Sequence, residues 1–247
     1  MKAPPLALAL LATAALAAEP SSGLSSPPKG WVDLTSAVPG VRLDIRYHLA
    51  DNFTGAPLPG YGAADAWLMA GPAADLARVQ ADLAAEGKGL LVYDAYRPLR
   101  GTLAMVAWAT RTGQTALLDN GYIARRSNHN RGNTIDLTVI DLATGAPLDM
   151  GVPFDTLDDR AHTRNATGEV LDRRLHFVEL MRRHGWVNYW KEWWHFTWHP
   201  DDDPAPVARD VPYGCFEPAE GAWKPPSGWN MPGWTAPAAV TEPNECR

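Results

Sequence analysis

The sequence has few cysteines and no concentrated positive charge. Only Cys215 and Cys246 occur in 247 residues, and both lie near the C-terminus, so they do not form a credible metal site. In an exported protein the two would be able to form a disulfide, which we expect; two free thiols are the alternative. The net charge is −6 and no cluster of lysine or arginine is present, which argues against a nucleic-acid partner.

Long apolar runs are also missing. The run from Leu6 to Leu16 is too short for a permanent membrane anchor. Lys2 precedes it, and Ala15-Leu16-Ala17 fits the small-x-small cleavage pattern, so residues 1–17 are predicted to be a signal peptide. No cysteine follows for lipid attachment. We expect a periplasmic or secreted protein with no stable membrane anchor; the alternative is a disordered apolar N-terminus.

No internal repeat or composition break divides the middle of the chain. A Ser/Pro/Gly-rich linker (18–30) is expected to precede a single domain (31–200). The tail from Pro200 onward holds 10 of the 22 prolines. We expect this C-terminal extension (201–247) to be an irregular strap laid over the domain and not a second domain.

The periodicity of apolar residues predicts a mixture of helices and strands. Helices are expected between Pro72 and Gly87, from Thr102 to Thr110, and along the stripe Leu171, Leu175, Val178 and Met181. Strands are expected within Trp31–Tyr47, at Leu90–Ala95, Asn133–Asp141, Trp186–Trp190 and Trp193–Trp198, with a turn at 143–145 that makes a hairpin. The elements show no βαβ rhythm, so the predicted class is α+β.

Two segments carry residues that suit a metal. One runs from Ser127 through His129 to Asp136, and the other is Glu192-Trp193-Trp194-His195. Together they offer two imidazoles, one carboxylate and a spare carboxylate. A catalytic zinc commonly takes three protein ligands and leaves a fourth position to water.

Glu192 lies three residues before His195, and on a regular strand the two side chains would point to opposite faces. We therefore expect Glu192 at a bend or at the start of the strand, where it would act as a general base. Arg97 follows a predicted strand and precedes Pro98, so its guanidinium would be able to stabilise an oxyanion. Asp94 would orient that guanidinium.

Each of these features is weak alone. An exposed histidine is usually solvated, an aspartate on a strand usually pairs or caps, and an arginine usually makes a surface ion pair. Their combination in one chain shifts the balance towards a metalloenzyme.

The pattern His129-x6-Asp136 followed by Glu192-x-x-His195 resembles the zinc D,D-peptidases of peptidase family M15. Within that group the chain is similar to the D-alanyl-D-alanine dipeptidases of the VanX type. Further matching stretches are 51–55, 93–98, 149–151 and 153–155, with 160–163 as a looser match. The resemblance covers about Val32 to His199.

The resemblance implies a central antiparallel sheet with flanking helices and one zinc ion per chain at His129, Asp136 and His195. It implies Glu192 as general base and Arg97 as transition-state stabiliser. Ser127 is expected to help hold the substrate, and His162 to support a metal ligand from outside the coordination sphere.

The implied activity is hydrolysis of the small D,D-dipeptide D-alanyl-D-alanine during cell-wall peptide turnover. One alternative is a D,D-carboxypeptidase that trims longer muropeptides. The other is a catalytically silent zinc domain that binds peptidoglycan peptides; the presence of both Glu192 and Arg97 argues against it, since binding needs neither. The oligomeric state stays open.

Overall fold

The computed structural model describes residues 26–198 and 206–214, which form a five-stranded sheet, a two-stranded sheet and several helices. The strands are β1 Trp31–Asp33, β2 Arg42–Leu43, β3 Trp67–Met69, β4 Lys88–Asp94, β5 Thr134–Asp141, β6 Trp186–Asn188 and β7 His195–Trp198. The helices are α1 Leu34–Ala37, α2 Ala70–Ala85, α3 Leu99–Arg111, α4 Ala116–Asp119 and α5 Gly168–Arg183.

The larger sheet has the strand order β2-β4-β5-β7-β6. All of its pairings are antiparallel except β2 with β4, which is parallel, so the sheet departs from the expected antiparallel pattern at one edge. The central strand β5 is buried along almost its whole length. On one face Ile135, Leu137 and Val139 belong to the hydrophobic core, and on the other Thr134, Asp136 and Thr138 are buried polar residues. The mixture of helices and sheets confirms the α+β class.

Two of the predicted helices are present, and α3 is longer than the expected Thr102–Thr110. In α2 the apolar residues Leu76, Val79 and Leu83 are buried, and the helix ends before Gly87, which adopts a φ of 70°. Helix α3 begins immediately after Pro98, whose backbone is extended. A proline disfavours helical backbone in the residue before it, so Arg97 is kept out of the helix.

The buried face of α5 matches the predicted stripe only at Met181. Leu171, Leu175 and Val178 are only half-buried, whereas Arg174, Phe177 and their helical neighbours Leu180 and Met181 are buried. The Arg174 guanidinium donates hydrogen bonds to the carbonyls of Met150, Arg160 and His162. These bonds satisfy a buried cation that hydropathy alone assigns to the surface.

The segment expected to form a strand within Trp31–Tyr47 is broken into shorter elements. Strand β1 ends at Asp33, whose side chain accepts hydrogen bonds from the backbone of Thr35 and Ser36 and caps α1. After α1, Gly40 turns the chain with a φ of 88° before the two-residue strand β2. Local capping overrides the alternating pattern here.

Residues 206–214 lie against the domain, as expected of a strap. Val211 and Tyr213 are buried, and Tyr213 forms a bridge with Tyr61. The predicted signal peptide and the cysteines Cys215 and Cys246 lie outside the described residues. Of the helices described, none combines the length and apolar character needed to cross a membrane.

Candidate active site

The five-stranded sheet aligns three acidic or imidazole side chains in one row. Asp94 ends β4 and pairs with Asp136 on β5, which in turn pairs with His195 at the start of β7. Directly opposed residues of antiparallel strands project to the same face. A register shift between Val92 and Asp94 lies beside this row; such irregularities re-aim side chains.

His129 approaches the row from a loop. It lies in a 3-10 turn, Asn128–Arg131, whose first backbone amides are capped by Ser127: the Ser127 hydroxyl oxygen accepts from the His129 N–H at 3.3 Å. Gly132 ends the turn with a φ of 72°, in the left-handed region that favours glycine. The imidazole is buried, and its Nδ1 lies 2.6 Å from the carbonyl oxygen of Ala95. Nδ1 therefore carries the proton, and Nε2 presents a lone pair to the row.

His129, Asp136 and His195 form a compact set of ligand atoms. His129 Nε2 lies 3.3 Å from both Asp136 Oδ1 and His195 Nδ1, and Asp136 Oδ1 lies 2.9 Å from His195 Nδ1. Ligands at about 2.0–2.1 Å from a tetrahedral metal lie roughly 3.3–3.4 Å from one another. Both separations from His129 match this spacing, and the one between Asp136 and His195 is shorter, at 2.9 Å.

Asp136 Oδ1 supplies a second test of that fit. The atom is buried and, among the described residues, has no hydrogen-bond partner despite the two nearby imidazole nitrogens. Its contacts have the distances of hydrogen bonds without their geometry, as expected where lone pairs converge on a shared cation. Burial opposes ionisation of Asp136, but the imidazoles of His129 and His195 outweigh it and hold the pKa of Asp136 below its ordinary range.

Glu192 lies in the tight connection between β6 and β7, so the expected bend is present. Its Oε2 is 3.4 Å from His195 Nδ1, next to the three ligand atoms. Burial, followed by the negative charge of Asp136, raises the pKa of Glu192 to about 8. A carboxyl in this position can accept a proton and return it.

Arg97 lies on the other side of Asp136. Its Nε and Nη2 donate to Asp94 Oδ2 at 3.0 and 2.8 Å, and Nη2 is 3.8 Å from Asp136 Oδ2. The Tyr61 hydroxyl donates to the other oxygen of Asp94 at 2.6 Å. The guanidinium also lies 5.1 Å from the ring centre of Tyr47. Asp94 thus holds the guanidinium, as its position in the sequence predicts.

These groups open into one cavity of about 420 Å³. Ser127, His129, Asp136, Glu192, His195 and Arg97 all line it. His162 does not: its Nε2 lies 2.8 Å from the Tyr122 hydroxyl, and its ring packs against Trp190. Instead of supporting a metal ligand, His162 supports Tyr122, which forms part of the cavity wall.

Asp155 is a site residue to which the sequence assigned no role. It lines the cavity, and its Oδ1 accepts from the Tyr47 hydroxyl at 2.9 Å. Its Oδ2 is buried and lacks a partner within the described part of the chain, and its φ of 61° is rare for a residue other than glycine. Burial raises the pKa of Asp155 well above its ordinary value, and the charge of Asp136 adds to the effect. In the sequence, the feature that points to Asp155 is its place in the stretch 153–155, which resembles the dipeptidases.

Comparison with known proteins agrees with this geometry. The family model for peptidase M15, described as D-ala-D-ala dipeptidase, matches residues 28–216 and so extends past Pro200 into the strap. A D-alanyl-D-alanine dipeptidase from Enterococcus faecium is 33% identical over 199 residues, covering 74% of this chain and 94% of that protein. The enzyme of that name from Enterococcus faecalis is 36% identical over 183 residues, which cover 68% of this chain and 90% of that protein. The one from Streptomyces coelicolor is 35% identical over 183 residues, which cover 66% of this chain and 91% of that protein. The chain belongs to the peptidase M15 family of D-alanyl-D-alanine dipeptidases.

Proposed function

We propose that the protein is an exported, zinc-dependent dipeptidase that hydrolyses D-alanyl-D-alanine to two D-alanines. The observation that carries the proposal is the convergence of three ligand atoms, from His129, Asp136 and His195, between a buried carboxyl and a buried guanidinium. The names of the relatives support the choice of substrate.

His129, Asp136 and His195 would hold one zinc ion per chain. When bound, zinc supplies Lewis acidity at the scissile carbonyl and at the attacking water. Glu192 takes the proton of that water and later gives it to the leaving amine, a role that suits its position beside His195. Arg97 donates to the carbonyl oxygen as negative charge develops there. Because Asp94 already fixes the guanidinium, little reorganisation is needed at that step.

The two ends of a free dipeptide find complementary groups on the cavity wall. Asp155 offers an oxygen without a partner to the ammonium, on a wall that also holds the carboxyl groups of Glu192 and Asp136. The Ser127 hydroxyl oxygen already accepts a backbone N–H, which leaves its proton free to be donated to the carboxylate. A substrate without a free ammonium loses the first of these contacts.

The test is hydrolysis of three substrates by the purified protein: D-alanyl-D-alanine, its N-acetyl form and a pentapeptide that ends in D-alanyl-D-alanine. We expect the highest kcat/KM for the free dipeptide, loss of activity with a chelator and recovery with added zinc. Equal or faster cleavage of the pentapeptide would instead favour the alternative function of a D,D-carboxypeptidase. Binding of zinc and peptide without turnover would favour the other alternative, a domain that binds peptidoglycan peptides.

The biological role that we propose depends on export of the protein from the cytoplasm. The predicted signal peptide, residues 1–17, would place the enzyme in the periplasm or outside the cell, where the dipeptide arises from wall turnover. Hydrolysis of the dipeptide there would release D-alanine for the cell to recover. Fractionation that finds the protein in the cytoplasm, with residues 1–17 still attached, would contradict this role.

A further inference from the structure

Residues 209–213 of the strap contact both loops that carry the active site. The Arg209 N–H donates to the Asn130 carbonyl at 2.8 Å, next to the metal-ligand candidate His129. The Arg209 carbonyl accepts from the Leu99 N–H at 3.1 Å, two residues after Arg97. The Asn130 side chain links the two loops directly, because it donates to the Arg97 carbonyl at 2.8 Å.

Tyr213 makes the most direct of these contacts. Its hydroxyl donates to the carbonyl oxygen of Tyr96 at 2.5 Å and accepts from the Trp67 N–H at 3.3 Å. The Tyr96 N–H in turn donates to the Trp67 carbonyl at 3.0 Å. Tyr213 is completely buried, so no water competes for these bonds.

The oxygen that Tyr213 holds belongs to the peptide group that joins Tyr96 to Arg97. The N–H of the same peptide group donates to the His129 carbonyl at 3.1 Å. One rigid plane is thus held from one side by the strap and from the other by the backbone of His129. Rotation of this plane would move Arg97 relative to His129.

A second path runs through side chains. The Tyr213 ring packs against the Tyr61 ring, with centres 5.5 Å apart, and Tyr61 donates to Asp94, which holds the Arg97 guanidinium. The backbone and the side chain of Arg97 therefore both depend on Tyr213.

We propose that Tyr213 is a positioning residue, whose hydroxyl fixes the Tyr96–Arg97 peptide and thereby the placement of the Arg97 guanidinium beside the metal-ligand set. The strap is then part of the working site and not only a cover. The expected loss of activity rests on the proposed function, whereas the expected change in the placement of Arg97 does not.

The test is Tyr213→Phe, which removes the hydroxyl and keeps the ring. In the zinc-loaded protein we expect kcat for D-alanyl-D-alanine to fall about 10- to 100-fold with KM within about twofold, since small misplacements of a catalytic group cost this much. Combined with Arg97→Lys, the effect on kcat should be less than additive, because both changes disturb one group.

The readout that does not need turnover is the Nε–Hε signal of Arg97 in a proton–nitrogen correlation spectrum, assigned with Arg97→Lys. We expect Tyr213→Phe to shift this signal and speed its exchange with water. The matched control is Val79→Ala, a core truncation in α2 that costs stability and leaves kcat and the Arg97 signal as in the wild type.

The outcomes separate the two proposals. An unchanged Arg97 signal in Tyr213→Phe, or the same kinetic loss in Val79→Ala, overturns the positioning role. Loss of zinc from Tyr213→Phe also overturns it, since Tyr213 would then act on the metal. A shifted signal in a protein whose wild type cleaves no dipeptide keeps the positioning role and removes the proposed function. If Tyr213→Phe does not fold, Asp210→Ala removes both hydrogen bonds that hold this segment to Arg100. An unchanged Arg97 signal in that variant overturns the positioning role.

Discussion

Asp136 and His195 are directly paired residues of two neighbouring antiparallel strands, and Asp136 Oδ1 lies 2.9 Å from His195 Nδ1. Their separation is thus set by the sheet itself, because paired residues of a ladder have fixed spacing. His129 reaches the same point from a loop, which is held by the Ala95 carbonyl. The candidate metal centre therefore combines two rigid ligands with one that depends on a turn.

The first prediction concerns metal binding. His195→Ala and Asp136→Ala should each lose zinc, because two remaining ligands do not complete a three-ligand site. The measurement is zinc per chain by elemental analysis after dialysis. His184→Ala is the matched control, since His184 pairs with Asp82 on the surface and contacts none of the three ligands. Full zinc occupancy in His195→Ala would refute this ligand set.

The second prediction separates base from ligand. Glu192→Gln keeps the shape of the side chain but cannot accept a proton, so zinc should be retained while kcat falls by roughly 10²–10⁴-fold. Zinc content and kcat are measured on the same preparation. If Glu192→Gln loses its metal instead, Glu192 is a ligand and the assignment of the base must change.

Much of the site could be anticipated from sequence because its residues belong to short, closely spaced motifs. The seven-residue separation of His129 and Asp136 spans one turn and the first residues of β5, and Glu192 and His195 share one tight connection. Local chain geometry determines both arrangements. The break between β4 and α3 at Arg97-Pro98 was equally local.

The remainder depends on contacts between distant parts of the chain. Asp155 becomes a site residue through the fold: Tyr47, 108 residues away, donates to it. Tyr213 reaches Tyr96 across 117 residues. Arg174 is buried because three carbonyls from two loops surround it, and hydropathy alone assigns an arginine to the surface. No periodic pattern encodes such contacts, so composition and spacing did not predict them.

The third prediction concerns Arg97. Arg97→Lys retains the charge but not the planar fork that binds Asp94 through two nitrogens. We expect kcat to fall with little change in KM, as for an interaction that is strongest in the transition state. Steady-state kinetics with D-alanyl-D-alanine provide the measurement. A rise in KM alone would assign Arg97 to ground-state binding.

The fourth prediction concerns Gly132, between His129 and Asp136. A Cβ at this position would lie 2.3 Å from the ring of Trp31, and φ is already 72°. Gly132→Ala should therefore destabilise the fold by about 1–3 kcal/mol more than Gly87→Ala, because overpacking adds to backbone strain. Gly87 has a φ of 70° with nothing within 4 Å of its added Cβ. The free energy of unfolding of both variants is measured by denaturant titration. If both lose the same amount, the Trp31 ring moves aside with no loss of stability.

The last prediction assigns the ammonium of the substrate to Asp155. A buried carboxyl with an unpartnered oxygen and a raised pKa gains most from a cation, because an ammonium would favour its ionised form. Asp155→Asn keeps the size of the side chain and loses the charge. We expect kcat/KM for D-alanyl-D-alanine to fall about 10- to 100-fold, which is the scale of a hydrogen bond to a charged group, about 1.5–3 kcal/mol. The N-acetyl dipeptide has no ammonium, so its slow cleavage should change little. Zinc content should stay at the wild-type level, because Asp155 is not among the three ligand residues. An equal fall for both substrates would show that Asp155 supports the site as a whole, and the ammonium would then have to be recognised elsewhere on the cavity wall.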